Sequence, residues 1–534
     1  MPPVPRAPGP GNAYLFRHGL PVPVAEADFS GGMVRDVPRT AIPDGAVYRM
    51  RDFLCHSPGK VVKRGGVAFA SPAVGEALVN VVAVCEFPGD QRVTMISSNP
   101  GDNFWIYDVT KNTAWPGGGL SVNVLPYENP PFWVHGGTSG SLILTHGAGG
   151  KTPQRVFLSG SNIAVGDITG APQARCSCVH LGRLVMANSI ANPNRVWFSN
   201  LNDPLNWTPP ATSGVSSSFI DTAGPVIGLA SIAGTLLVFQ RGSFQRILND
   251  IPPGYGDVEL NPPNMQLQAV ATGTGCIDAR SIVQARGNVY FASEYGIYYT
   301  NGGSPTAVTT RDDATGIGDL WRSFTFDLDA GTPGSVIAQG IYADNWLFSS
   351  CRHPAGMDFQ LLTYLPTGSF MTTSMNIACV HYASRSAPHA GIYGCDGNYS
   401  EPIRLLDLTP MFVPYPGPQT DADGAPVLPQ LETRMIGSGP SLKAYYDSYL
   451  TYDIRGGDLQ VEVGTNVEGS DFKVVPESPM RRTTTEAARR RFSTSKDANS
   501  IQYRLTQLTP SERTEIYMIE SAYHDYYGSD GRFP

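Results

Sequence analysis

The segment that most resembles a reactive site runs from Ser141 to Thr152 and reads SLILTHGAGGKT. A strand followed by a glycine loop ending in Gly-Lys-Thr is typical of a P-loop, whose backbone amides hold phosphate. That motif needs a glycine five positions before Gly150, where this chain has Thr145. It also needs a helix after the lysine, whereas Pro153 and a strand-like run follow here. We therefore predict a β-hairpin turn.

Histidine and serine also come together at His135, which precedes Gly136-Gly-Thr-Ser139. Gly-x-Ser-x-Gly does not surround Ser139, and adjacency in sequence is not the geometry of a catalytic pair. His381 and His389 have no carboxylate ligand pattern between them. We interpret His135 as a loop histidine and predict that the chain is not an enzyme, with no catalytic, metal-binding or cofactor-binding residues.

Four aspartates stand at predicted strand ends or turns, where Asp is favoured for backbone reasons. They are Asp102, Asp108, Asp344 and Asp396. A sugar-cleaving propeller would need two carboxylates facing each other across a cleft. A sugar-cleaving propeller enzyme is therefore the third hypothesis, and it requires that such a carboxylate pair lines a pocket.

Arginines form one basic cluster, made of Arg481, Arg482, Arg489, Arg490 and Arg491. Aromatic residues do not interleave these arginines in the sequence, as they would in a platform for single-stranded nucleic acid. The net charge of −8 also argues against tight DNA binding, although DNA could pass an acidic surface without adsorbing. A solvated or intersubunit salt-bridge face is the favoured interpretation, and a DNA-facing cluster is the alternative.

Composition favours many short strands. The 534 residues include 58 glycines and 45 prolines, with 16% charged and 10% aromatic residues. The nearest helical candidate, Glu486 to Arg491, is short. The eight cysteines contain no Cys-x-x-Cys pair and are predicted to be buried free thiols. The start of the chain has no apolar core, so neither a signal peptide nor a membrane anchor is expected.

A loose unit of an apolar strand, a turn and an aromatic strand recurs from about residue 78. Its successive aromatic strands start 51, 40, 48, 53, 64 and 31 residues apart. Four-stranded propeller blades repeat at about 40–50 residues, so a β-propeller is predicted, with an array of sandwiches as the alternative. Hairpin turns are expected at Gly234 and at Arg286-Gly-Asn288. The aromatic strands begin at Phe104, Arg155, Arg195, Ser243, Gly296, Gln360 and Gly391.

The predicted fold is all-β, with a propeller core, an added C-terminal β-sandwich-like domain and an extended N-terminal arm. The proline- and glycine-rich residues 1–40 form the arm and 41–413 the propeller. Residues 414–426 are rich in proline and glycine and form a linker or exposed loop. In 427–534, period-two alternation over Ala444–Asp453 and Asp458–Gly464 indicates half-buried antiparallel strands.

The most informative stretch is an aromatic strand, a polar turn and a second tryptophan between Arg195 and Trp207. A strand, a tight turn, another strand and another turn follow from Gly224 to Ser243. These residue types pack strands and close loops, and they are poorly suited to nucleophilic attack or chelation. The predicted packing motif consists of Trp197, Phe198, Asp203, Trp207, Gly224 and Phe239.

This order of features resembles the tail nozzle proteins of short-tailed bacteriophages, which are also called DNA-stabilisation or tail hub proteins. The resemblance lies in Trp197–Leu201, Gly224–Leu229 and Thr235–Phe239 ending at Ser243, and, nearer the start, in Ile42–Ala46 and Lys63–Gly65. It covers about half of the chain, mostly residues 40–300, and this chain departs from it in the proline-rich start and in 414–426.

The resemblance implies a structural virion protein whose subunits form a sixfold ring in the phage tail, after synthesis in the host cytoplasm. It further implies contacts with a tail adaptor, with a fibre or tailspike and with a needle or plug. The ring would retain the packaged double-stranded DNA until ejection and let it pass during ejection, without sequence-specific binding. A receptor-binding or fibre-attachment propeller of a phage neck or baseplate is the alternative hypothesis.

Overall fold

The computed structural model divides the chain into two compact units. Unit 1 comprises residues 1–66, 369–371 and 412–534, and unit 2 comprises 67–368 and 372–411. The structure describes residues 22–26, 28–35, 37–57, 59–69, 80–86, 93–98, 103–108, 113–114, 120–121, 132–135, 142–145, 152–159, 162–209, 217–255, 264–310, 317–318, 320–321, 336–352, 359–375, 377–383, 391–396, 405–412, 420–421, 425–436, 442–465, 471–481 and 487–525.

Within the described part of unit 2, antiparallel strands form seven consecutive sheets that we call blades 1 to 7. Blade 1 contains β7 (Asn80–Glu86), β8 (Val93–Ser98), β9 (Asn103–Asp108), β10 (Thr113–Ala114) and β11 (Leu120–Ser121). Blade 2 contains β12 (Phe132–His135), β13 (Leu142–Thr145), β14 (Gln154–Ser159) and β15 (Asn162–Asp167). Blade 3 contains β16 (Ala174–His180), β17 (Arg183–Ser189), β18 (Arg195–Phe198) and β19 (Phe219–Asp221). Blade 4 contains β20 (Gly228–Ile232), β21 (Thr235–Phe239), β22 (Ser243–Leu248) and β23 (Gln266–Thr272).

The last three blades follow the same order. Blade 5 contains β24 (Val283–Ala285), β25 (Asn288–Ser293), β26 (Gly296–Thr300) and β27 (Thr306–Thr310). Blade 6 contains β28 (Val336–Tyr342), β29 (Trp346–Arg352) and β30 (Phe359–Tyr364), and the strand after β30 is β31 (Ser369–Thr373), whose residues 369–371 belong to unit 1. Blade 7 contains β32 (Ile377–Ala383), β33 (Gly391–Asp396), β34 (Leu405–Asp407) and β6 (Ala68–Phe69). Short 3₁₀ helices occur at Ala279–Ser281 and Thr409–Phe412.

Blade 7 closes the propeller. Its outermost strand, β6, comes from the start of unit 2 and pairs antiparallel with β34 near the end of that unit. The first strands contact one another from blade 1 to blade 4 and from blade 5 to blade 7, and β20 of blade 4 contacts β25 of blade 5. The first strand of blade 7, β32, contacts β7 of blade 1. Pairing the two ends of the chain segment removes the open edge that a linear array would leave. The predicted β-propeller is confirmed.

The recurring aromatic segments have a common position in this architecture. Six of the seven coincide with the third strand of a blade, namely β9, β14, β18, β22, β26 and β30. The seventh, Gly391–Gly394, lies in β33, which is the second strand of blade 7. One strand of difference explains why the final interval is the shortest.

Two predicted hairpin turns are confirmed, and both have the geometry of a type I′ turn. Ala233 and Gly234 connect β20 to β21 with φ angles of 47° and 75°. Arg286 and Gly287 connect β24 to β25 with φ angles of 52° and 73°. Both central residues of a type I′ turn need positive φ, which glycine accepts readily.

Unit 1 contains two sheets. Sheet A has the order β39 (Ala488–Ala498), β36 (Lys443–Arg455), β41 (Arg513–Asp525), β5 (Lys60–Lys63) and β4 (Phe53–Ser57), with β1 (Val22–Glu26) also paired to β41. Sheet B begins with residues 369–371 of β31 and continues in the order β3 (Ala46–Arg51), β35 (Gln430–Thr433), β40 (Gln502–Gln507), β37 (Leu459–Gly464) and β38 (Lys473–Val474), with β2 (Gly32–Met33) parallel to β3.

The two sheets of unit 1 pack face to face. Ser448 of sheet A lies 2.6 Å, Oγ to hydroxyl, from Tyr503 of sheet B. The Phe492 ring meets the Tyr503 ring edge-on at 5.6 Å. Along β40, buried Tyr503 and Leu505 alternate with half-buried Arg504, as expected for a strand with one face in a core. The predicted β-sandwich-like domain and its half-buried strands are confirmed.

Three details of the predicted organisation need correction. The predicted start of the propeller at residue 41 is wrong, because β3, β4 and β5 pair within unit 1 and unit 2 starts at Val67. The predicted arm, residues 1–40, contributes β1 and β2 to unit 1, and 1–21 lie outside the described residues. The helical candidate at 486–491 is also wrong, since its residues 488–491 lie in β39, which pairs with β36, and Glu486 lies outside the described residues.

Candidate functional site

The residues of the predicted packing motif join successive blades. Trp197 and Trp207 share a buried cluster with Ile143 of blade 2. Phe198 points to the opposite face of the sheet and packs with Val226 and Leu236 on the side of blade 4. One motif therefore fills the spaces on both faces of blade 3.

Phe239 continues this stacking into the next blade. Its ring lies 4.9 Å from the ring of Phe291 in blade 5 and 5.4 Å from Phe244 in its own blade. The neighbours Leu236 and Val238 on the same strand face blade 3 instead. The structure thus places Trp197, Phe198 and Phe239 in three different clusters between blades rather than in one site.

Asp203 and Gly224 have local roles in loops. The Asp203 amide donates to the Asn200 carbonyl at 3.3 Å, and its carboxylate accepts from the Leu205 amide at 3.4 Å. The Gly224 carbonyl accepts from the Gln240 side chain at 2.7 Å, which ties the connection between blades 3 and 4 to the end of β21. Neither residue is placed for chemistry.

The basic cluster lies largely on β39, the edge strand of sheet A, and most of it is paired with acidic residues. Arg489 donates to Glu520 at 2.8 Å, and Arg491 forms an ion pair with Asp447. Arg481 donates to Asp458 at 2.6 Å. These hydrogen bonds hold the pKa values of Arg481 and Arg491 above the ordinary value. Arg490 is exposed, and Arg482 lies outside the described residues.

The basic cluster also has an aromatic partner that the sequence does not indicate. The Arg489 guanidinium lies 4.2 Å from the centre of the Tyr449 ring. The pairing of β36 with β39 places Tyr449 directly opposite Arg491. The tyrosine lies between the arginines because β36 and β39 pair in this register, and the sequence around either strand does not indicate that pairing.

An ionic network is buried in unit 1. Both terminal nitrogens of the Arg64 guanidinium donate to Asp421 at 2.7 Å, and its Nε donates to Asp52 at 2.7 Å. Burial disfavours the charge, but the two carboxylates hold the pKa of Arg64 above its ordinary value. Asp421 belongs to the predicted linker 414–426, where Thr420 and Ala425 are exposed. In the described part of this segment, exposed residues therefore flank an aspartate that is held by the buried Arg64.

A polar chain links the first strands of three blades. His180 at the end of β16 lies 2.8 Å, Nδ1 to Oγ, from Ser231 in β20. The Gln284 side chain in β24 donates to the Ser231 carbonyl at 2.8 Å. Burial lowers the pKa of His180 to about 4, so the imidazole is neutral and weakly basic at pH 7. We interpret the pair as a connection between blades, since a general base needs a pKa near the working pH.

Blade 5 carries a cleft of about 320 Å³, which we call the blade-5 cleft. Tyr290 and Tyr299, paired across β25 and β26, stand with ring centres 5.5 Å apart and planes tilted by 35°. The Asn288 side chain hydrogen-bonds the Tyr290 side chain, and burial raises the pKa of Tyr290. The lining residues are Arg286, Asn288, Tyr290, Tyr299, Ala307, Val308, Leu365 and Gly368.

The remaining candidates lie at turns, at strand ends or outside the described residues. β13 and β14 pair on either side of Gly150, as the hairpin prediction requires, although residues 146–151 are outside the described part. His135 is the last residue of β12, and the following loop with Ser139 lies outside the described residues. The same holds for His389, while His381 lies in β32. Asp108 and Asp396 end β9 and β33, Asp344 lies in a turn, and Asp102 is outside.

Five cysteines are buried free thiols, as predicted: Cys55, Cys176, Cys178, Cys276 and Cys351. Burial raises the pKa of Cys55, Cys176 and Cys276 to about 12. In the part of the chain that the structure describes, histidine, cysteine and carboxylate side chains form no group of three that could hold a metal ion. Among the same residues, no helix has the length and hydrophobicity needed to cross a bilayer.

Comparison with known proteins gives weak similarity in structure. No family model matches the sequence, and no curated protein matches it either. A solved structure of BBS1N in complex with ARL6DN aligns with a TM-score of 0.38 and 10% identity, over 65% of this chain and 98% of that chain. The AfRom2 CNH domain aligns with a TM-score of 0.34 and 10% identity, over 61% of this chain and 94% of that domain.

An auxiliary nutrient binding protein from Bacteroides thetaiotaomicron aligns with a TM-score of 0.31 and 10% identity, over 72% of this chain and 76% of that chain. Similarity at this level supports no conclusion about function. The propeller assignment rests instead on the order and closure of the seven blades.

Proposed function

We propose that this chain is a structural subunit of a bacteriophage tail nozzle or hub, part of the virion rather than an enzyme. Several copies, six by the resemblance, close into a ring that passes and retains double-stranded DNA. The ring contacts a tail adaptor, a fibre or tailspike, and a needle or plug. Its mechanism is mechanical, because a stiff wall and repeated interfaces suffice to form a conduit.

The observation that carries this proposal is the position of the motif that resembles nozzle proteins. Trp197, Phe198 and Phe239 lie in three successive clusters between blades. Aromatic side chains bury large areas, and close packing gives protein interiors low compressibility. The motif therefore stiffens the propeller, which is the property a conduit wall needs.

The electrostatics of the basic cluster agree with passage of DNA without adsorption. Arg481, Arg489 and Arg491 each have an acidic partner in unit 1. DNA-binding faces need unneutralised lysine or arginine side chains to displace counterions from phosphate. With a net charge of −8, the chain as a whole repels DNA.

Electron microscopy of the purified particle, with this chain tagged by an antibody fragment, tests the proposal. We expect density for the tag at the tail, repeated around the tail axis. Filter binding of the purified chain to duplex DNA at physiological salt provides a second readout, with little retention expected. A tag found only in the host cell fraction, or a strictly monomeric chain in assembled tails, would refute the proposal.

The second candidate is a receptor-binding or fibre-attachment propeller, and the blade-5 cleft favours it because it is a concave site with aromatic and polar walls. Copy number and position in the particle separate the two candidates, since a receptor-binding module lies at a fibre or baseplate. The sugar-cleaving enzyme needs a carboxylate pair across a cleft. No carboxylate lines the blade-5 cleft, and a second cleft, lined by Arg455, Gly456, Pro510, Ser511 and Glu512, has one.

A further inference from the structure

The blade-5 cleft contains an arginine whose charge the described residues leave unpaired. Arg286 lies on the exposed turn between β24 and β25, with φ of 52°. Within the described residues it makes no ion pair, in contrast to the paired Arg241 of blade 4. Two other polar side chains that line the cleft, those of Asn288 and Tyr290, are hydrogen-bonded to each other.

Two tyrosine rings and the apolar side chains of Val308 and Leu365 also line the cleft. Tyr290 is buried, whereas Tyr299 is half-buried and presents part of its ring. Val308 and Leu365 are also half-buried. Because Tyr290 and Tyr299 are fixed by pairing of their strands, the aromatic wall is preformed and its ordering costs little on binding.

We propose that the blade-5 cleft binds an acidic sugar residue of a surface glycan. A pyranose ring has a face of C–H groups that packs on an aromatic ring, and its edge carries hydroxyls that pair with amide and phenol groups. A carboxylate on the sugar gives the Arg286 guanidinium a bidentate partner. The cleft volume of about 320 Å³ is at the lower end of small-ligand sites, which fits one sugar residue rather than a long chain.

Binding of this kind holds whether or not the chain forms a tail ring, so its test is independent of the proposed function. D-glucuronate and D-glucose are matched probes, since they share the ring and differ in the carboxylate. Titration of each into the full chain by NMR or calorimetry gives their Kd values. We expect glucuronate to bind about ten-fold more tightly than glucose, as one charge-assisted contact implies.

Two variants and one control distinguish the contributions. Arg286→Gln should remove the preference for glucuronate and leave glucose binding unchanged. Tyr299→Ala should weaken both sugars, with circular dichroism to verify the fold. Arg241→Gln is the control, because Arg241 lies on the β21–β22 turn of blade 4 and is absent from the cleft.

Three results would overturn the proposal. The first is that glucuronate does not bind the intact chain at millimolar concentration. In the second, Arg286→Gln retains the full preference for glucuronate. In the third, benzoate binds more tightly than glucuronate, which would assign the cleft to aromatic acids. The preference is a ratio measured on one sample, so partial unfolding of a variant does not imitate its loss.

Discussion

Replacing Arg64 by methionine tests how far the buried ionic network holds unit 1 together. The Arg64 side chain is fully buried, and its partners Asp52 and Asp421 are 1% and 13% exposed. Three hydrogen bonds to carboxylates and one to the Gly65 carbonyl are lost in Arg64→Met. Because two buried carboxylates then lack their shared cation, we expect the free energy of unfolding of unit 1 to fall by about 3–5 kcal/mol.

Hydrogen exchange measured by mass spectrometry gives the required spatial resolution. Peptides from β5, β36 and β41 report on sheet A, where Arg64 directly follows β5. All seven tryptophans lie between Trp105 and Trp346, within unit 2, so their fluorescence follows the propeller during urea unfolding. In Arg64→Met we expect faster hydrogen exchange in the peptides of sheet A, together with little change in the urea midpoint of the tryptophan fluorescence.

A matched control variant and a double-mutant cycle make the test decisive. Arg481→Met breaks another bidentate arginine–aspartate pair, but Arg481 is 70% exposed, so little change is expected. Asp421→Asn leaves Asp52 as the partner of Arg64 and should cost less than Arg64→Met. The double variant should cost less than the sum of the single changes. If Arg64→Met and Arg481→Met had equal small effects, the reasoning about burial would be wrong.

The other predictions concern blade packing, a buried histidine and the N-terminal strand. Trp197→Ala should lower the free energy of unfolding of unit 2 by about 3–5 kcal/mol in urea, whereas Leu201→Ala, at a side chain 57% exposed, should change it by less than about 0.5 kcal/mol; equal effects would contradict the packing role. Burial lowers the pKa of His180 to about 4, so its neutral form is favoured on folding. The stability that the neutral imidazole contributes to the folded state is complete above pH 6.5, and up to about 3 kcal/mol of it is lost as the pH falls towards 4. The urea midpoint should therefore drop less over this range in His180→Gln than in the unchanged protein. An identical drop would assign the effect to other groups. Deleting Val22–Glu26 uncovers residues 519–523 of β41, and size-exclusion chromatography should detect self-association through that edge; a monodisperse, fully stable variant would count against this.

The propeller could be predicted because a local feature repeats. The third strand of six blades carries aromatic residues, and each such strand is recognisable within its own neighbourhood. The number of blades could not be predicted. Closure depends on β6, a strand of two residues that pairs with β34 more than three hundred residues later. Nothing in the sequence around Ala68 indicates this partner.

The errors have the same origin in distant pairing. The run from Glu486 to Arg491 consists of good helix formers, yet its residues 488–491 form a strand with β36, because tertiary contacts outweigh small propensity differences. The blade-5 cleft was missed for a related reason. Its hairpin turn was predicted at Arg286, but Tyr299 and Leu365 approach that turn only through the pairing of strands and the stacking of blades.

The order of strands along the chain also constrains how the molecule forms. Unit 2 is nearly continuous in sequence, and its blades are built from neighbouring strands. Sheet A instead pairs β5 with β41, so Val61 and Val62 meet Ile516 and Glu515 only after the propeller has been synthesised. The entropic cost of such a contact rises only with the logarithm of the loop length. Until β41 is available to pair with it, however, the edge of β5 is unpaired and exposed. A propeller that closes early shortens this wait, because it brings the chain at Val67 and at Leu405–Asp407 together through β6 and β34. The pairing that completes blade 7 therefore also lowers the cost of completing the sandwich.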